Sequence, residues 1–99
     1  MEILYRSKKL RKVCTDANVA RKEYGDEMAR KIHQRIDAIK AADTVEILVQ
    51  GYIGRCHLLT GNRAGQYAMD LVHPYRLVFI KIGQEIQIAR IQEIIDYHR

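Results

Sequence analysis

Tyr75–Ile82 reads YRLVFIKI, and this stretch decides the fold class. It is rich in branched and aromatic side chains and holds no glycine or proline, the composition of a well-packed strand. His73-Pro74 on one side and Gly83-Gln84 on the other supply turns. Upstream, Gln66–Leu71 alternates and places Tyr67, Met69 and Leu71 on one face. Before it, His57–Leu59 forms a short strand closed by the turn Thr60-Gly61-Asn62-Arg63. Downstream, Ile86 and Ile88 alternate, whereas Ile88, Ile91 and Ile95 also suit a helical spacing. We read Ile86–Tyr97 as a strand, because a hairpin turn and a strong strand precede it. The second half of the chain is thus three or four antiparallel strands.

The first half has the period of helices. Ala17, Ala20, Tyr24, Met28, Ile32, Ile36 and Ile39 recur at intervals of three and four, the stripe of a long amphipathic helix ending near Ala42. Thr15 and Asp16 are good residues to start it, and Gly25 is a place for a bend or break. Ser7 can cap a shorter helix from Lys8 to about Cys14, and Val45–Val49 makes one more helical turn. Ile3, Leu4 and Tyr5 suit a short opening strand. The expectation is a single α+β domain over residues 1–99. A short strand and two helices precede a sheet with one face on the long helix and the other concave and open.

Composition narrows the function. No apolar run approaches the ~20 residues that span a bilayer. The opening residues place a short apolar patch before their charges, the reverse of a secretion signal, so a cytoplasmic protein without membrane contact is expected. Cys14 and Cys56 have neither metal-ligand nor disulfide spacing and read as reduced thiols. Cys56-His57 alone does not make a zinc site, so no metal or other cofactor is expected. The net charge is +5, and residues 1–43 hold +4 of it. That asymmetry suits a polyanionic partner as well as a merely solubilising surface.

No phosphate-binding glycine loop is present, and Ser7 is the only serine. The remaining candidates are His57, Arg76 and the run Asp96-Tyr97-His98. Metal-free RNA cleavage needs a base for the 2′-hydroxyl, an acid for the leaving 5′ oxygen, and cations for the charged phosphorane. Histidine suits the proton transfers, and the arginine fork suits the phosphate. Each residue also has a plainer role: a solvent-facing strand histidine, a surface arginine, a polar terminus. His33 reads as solvated and His73 as a turn residue.

The segments Arg55–Arg63 (RCHLLTGNR), Gly65–Asp70 (GQYAMD), Pro74–Phe79 (PYRLVF) and Glu93–His98 (EIIDYH) follow one another in an order that resembles the HigB toxins of the RelE/ParE superfamily. The resemblance covers nearly the whole chain. It implies a RelE/ParE-like fold and a toxin that enters the ribosomal A site and cuts mRNA during translation. It implies as partners a helix-turn-helix antitoxin of HigA type, operator DNA through that complex, and the ribosome with its rRNA and mRNA. It assigns proton transfer to His98 with Asp96, phosphorane stabilisation to Arg76, base stacking to Tyr97, and phosphate holding or the second proton transfer to His57. Thr60 stands where the family has a lysine, and Arg63 or Lys81 is the expected replacement. Lys8, Lys9, Arg11 and Lys12 would hold rRNA phosphates. ParE-type relatives, which poison DNA gyrase without nuclease chemistry, and an inactive homologue that binds only antitoxin and operator are the alternatives.

Overall fold

A computed structural model describes residues 1–97. The chain runs β1 (Glu2–Tyr5), α1 (Lys8–Thr15), α2 (Ala17–Tyr24), α3 (Asp26–Ala41), α4 (Val45–Gln50), β2 (His57–Leu58), β3 (Gln66–Asp70), β4 (Tyr75–Ile82) and β5 (Ile88–Asp96). Short 3₁₀ turns at Ile53–Arg55 and Gly61–Arg63 flank β2. The α+β class stands, with two differences. The expected long helix is two helices, and the sheet has five strands.

The helix divides for local reasons. The Asp16 side chain caps the amides of Asn18 and Val19 and starts α2 afresh. Gly25 adopts φ +90°, a conformation that ends α2 and lets α3 begin at a new angle. Across the break the apolar stripe continues: Ala20, Met28, Ile32, Ile36 and Ile39 are buried, while Ala17 is exposed. Asp26 and Glu27 occupy the first turn of α3, where their charge favours the exposed amides.

The sheet order is β1-β5-β4-β3-β2. β2 through β5 pair antiparallel, and β1 pairs parallel to β5 through the register Glu2↔Ile88 to Tyr5↔Ile91. One sheet face packs Tyr67, Met69, Leu77, Phe79, Ala89 and Ile91 against the helices to form the main core. Phe79 stacks on Tyr67 with ring centroids 5.6 Å apart. Cys14 and Cys56 lie in this core, and burial pushes their thiols up to about 12 and about 11. His33 is half-buried rather than solvated, its Nε2 3.4 Å from the Val13 carbonyl.

Among the described residues Gln87 is the buried polar side chain, and it is satisfied. It accepts from the first amide of α4 (Val45, 2.8 Å) and donates to Glu46 and to the Gln84 carbonyl. That locks the β4–β5 turn under α4. The opposite sheet face carries a small apolar cluster of Leu59, Ala68 and Val78, with Ile95 beside it.

Candidate active site: a cleft on the open face of the sheet

Register and alternation put several of the candidate side chains on this open face. His57 pairs with Ala68, Ala68 with Val78, and Val78 with Glu93. One row along, Asp70 pairs with Arg76 and Arg76 with Ile95. Paired residues share a face, so these two rows form one surface. A bulge between Val78 and Phe79 shifts the register to β5 and increases the local twist beside that surface.

A cleft of about 440 Å³ opens here, lined by Leu59, Thr60, Asn62, Arg63, Ile95, Asp96 and Tyr97. The apolar cluster is its floor and the turn after β2 is one wall. The other wall is the end of β5, where the Tyr97 amide donates to the Pro74 carbonyl at 3.0 Å.

Around the cleft the charges are ordered. Arg55 makes a bidentate pair with Asp70, Nε to Oδ2 at 2.6 Å and a terminal amino group to Oδ1 at 3.0 Å. Arg76 Nε lies 3.6 Å from Asp70 Oδ1. The Arg76 guanidinium sits over the Tyr97 ring, 4.3 Å from its centroid, a cation–π contact. Partial burial would raise the Asp70 pKa, but the Arg55 hydrogen bonds and the charges of Arg55, Arg76 and His57 hold it below its usual value. Arg63 donates to Glu93 (2.8 Å) and to Gln66 (3.0 Å), and the Glu93 bond raises its pKa.

His57 Nδ1 is 2.8 Å from the Arg55 carbonyl. A carbonyl only accepts, so Nδ1 carries a proton, and in the neutral ring Nε2 is the basic nitrogen. That is the arrangement a proton acceptor needs.

Of the residues singled out from sequence, Arg63, Asp96 and Tyr97 line the cleft, and Arg76 joins it through the Tyr97 ring. His57 borders it on the same face, within electrostatic reach of Asp70. His98 lies outside the described residues, directly after Tyr97. Lys81 does not reach the cleft: it pairs with Glu46 of α4 at 2.7 Å, on the helix-bearing side of β4. Lys8, Lys9, Arg11 and Lys12 are exposed on α1, and Lys9 lies 3.5 Å from Glu23. With Arg6 and Arg90, Lys8 and Arg11 border a second groove along β1, at the sheet edge away from the cleft. Asp70 and Arg55 were not singled out from sequence. The signal for Asp70 was the hairpin register, which the three-residue turn Val72-His73-Pro74 nearly fixes.

Among the described residues, no group of three or more His, Cys, Asp or Glu side chains could hold a metal ion. None of their helices is long and apolar enough to cross a membrane.

No protein-family model matches the chain, and no curated protein matches it in sequence. Solved structures do match. A YoeB/ParE toxin from Agrobacterium tumefaciens is 16% identical with a TM-score of 0.65, the likeness covering 99% of this chain and 100% of that one. A YoeB–YefM complex from Staphylococcus aureus is 20% identical with a TM-score of 0.63, covering 100% of this chain and 98% of that one. With an opening strand, four helices and then the remaining four strands of a five-stranded sheet, this chain shares its fold with these YoeB/ParE and YoeB–YefM structures.

Proposed function

We propose that this protein is the toxin of a toxin–antitoxin pair and acts as an endoribonuclease on mRNA in the ribosome, in the manner of the HigB toxins. The observation that carries the reading is the arginine–tyrosine pair at the cleft, Arg76 over Tyr97, with a histidine on the same face whose Nδ1 is held by the Arg55 carbonyl. Arg76 stabilises the charge that builds on the phosphorane. Tyr97 offers an aromatic face to a base. His57 Nε2 and His98, the latter assisted by Asp96, divide the two proton transfers. Thr60 supplies no cation at the cleft wall, and Arg63 is the cation that stands nearest in the lining. Its bond to Glu93 has to loosen before it can hold a phosphate.

The toxin reading brings an antitoxin partner, and one of the similar structures is itself a two-protein complex. A helix-turn-helix antitoxin of HigA type, operator DNA contacted through it, and a cytoplasmic site of action follow from the resemblance. Thr60 and the mixed name of the Agrobacterium neighbour favour one second reading, a ParE-type toxin that binds gyrase without cleaving RNA.

Mapping mRNA 5′ ends in a cell-free bacterial translation reaction tests the proposal. New ends are expected with the wild-type chain and only when ribosomes are present. Arg76→Ala should lower cleavage about 10²- to 10³-fold, the loss typical of a transition-state donor. Intact mRNA at every concentration of wild-type protein overturns the nuclease reading and directs the assay to gyrase.

A further inference from the structure

We infer that Asp70 is the positioning residue of this cleft: its carboxylate, anchored by Arg55, sets the direction in which the Arg76 fork meets the substrate phosphate. The inference deepens the nuclease reading and rests on it for the identity of the substrate.

Asp70 is built to be immobile. It stands in β3 opposite Arg76, and its own carbonyl accepts from Arg35 Nε of α3 at 2.6 Å. Both of its carboxylate oxygens are held by Arg55 at 2.6 and 3.0 Å. Arg55 is in turn fixed by a backbone at φ +56°, a conformation that a non-glycine residue keeps only when its surroundings over-determine it. Arg76 therefore meets a carboxylate already anchored.

The contact to Arg76 is of a different kind. At 3.6 Å it is longer than either Arg55 bond and uses the Nε edge. The Tyr97 ring holds the flat face of the same guanidinium at 4.3 Å. An edge contact and a face contact together define the plane of the fork. They leave its two terminal amino groups as the donors for an anion. Arg55 already balances the Asp70 charge, so the carboxylate can orient Arg76 without neutralising it. A carboxylate serving the fold alone would be satisfied by Arg55 and would need no second arginine across the hairpin.

The test is a double-mutant cycle on ribosome-programmed mRNA cleavage, with wild type, Asp70→Asn, Arg76→Ala and the double variant. Asp70→Asn should lower kcat roughly tenfold to a hundredfold, the scale of an ångström-level misplacement, with KM nearly unchanged. The same change should have no further effect once Arg76 is alanine. Asp70→Glu, which keeps the charge, should recover part of the rate. Independent, additive losses from the two sites overturn the inference. If wild type cleaves no mRNA, the nuclease reading falls by itself, and nitrogen-15 NMR of the arginine side chains decides the positioning role. A shifted or broadened Arg76 Nε–H signal in Asp70→Asn supports it, and an unchanged signal overturns it.

Discussion

Glu46 shows how much a single exposed side chain can organise here. It accepts from Lys81 at 2.7 Å and from Gln87 at 2.8 Å, and these bonds hold its pKa at about 2 against an ordinary 4.5. A carboxylate with a depressed folded pKa stabilises the native state above its unfolded value and loses that stabilisation as the pH falls toward the folded one. The window is therefore pH 4.5 down to about 2. Glu46→Gln should flatten the dependence of Tm on pH across that window, leaving a smaller acid shift than wild type in calorimetry. Lys81 was expected at a phosphate as a replacement for the lysine whose place Thr60 takes. Alternation sends it to the helix side, and Glu46, distant in sequence, holds it there. By contrast Arg76, Tyr97 and His57 could be picked out as candidates from residue type and order, and the structure brings them to one face of the sheet. Their supports, Asp70 and Arg55, were not, because what marks them is pairing across a hairpin and between elements.

At the scale of elements, legibility followed locality. β4 runs over Tyr75–Ile82 as its composition predicts, because propensity and turns agree on the same bounds. The ambiguous last segment became a strand because β4 offered it a partner edge. The division between α2 and α3 was only half visible, since the apolar stripe runs through Gly25 unbroken while the backbone does not. β1 was legible as a strand but not as the parallel neighbour of β5, since nothing local records a pairing across the length of the chain. The packing of β4 gives a direct prediction. Phe79 is fully buried against Tyr67 and the helices, so Phe79→Ala should cost about 3–5 kcal/mol in urea unfolding. Ile82, on the same strand but exposed, should tolerate serine with a change within about 0.5 kcal/mol.

Across the whole molecule, positive charge gathers in two places, at the cleft and along the β1 edge of the sheet. Arg76 and Arg63 stand toward the cleft, and Arg6, Lys8, Arg11 and Arg90 line the groove along β1. A polyanion spanning both would gain affinity from each, with a salt dependence that counts the phosphates contacted. If the chain acts in the ribosome as proposed, Lys8→Glu with Arg11→Glu should weaken ribosome binding and reduce the slope of log affinity against log salt by roughly 2. An unchanged slope in sedimentation across moderate salt would remove α1 from the interface. The β1–β5 pairing has a different consequence, for timing during synthesis. β5 lies between β1 and β4, so β1 has no neighbour in this sheet until β5 has been made. A nascent chain emerging from a ribosome holds β1 and its helices without the strand that joins them to the rest of the sheet. The cleft wall at Tyr97 forms in the same step. Folding of the candidate site thus waits until β5 has left the ribosome, so a chain made only as far as β4 is carried with its cleft unassembled.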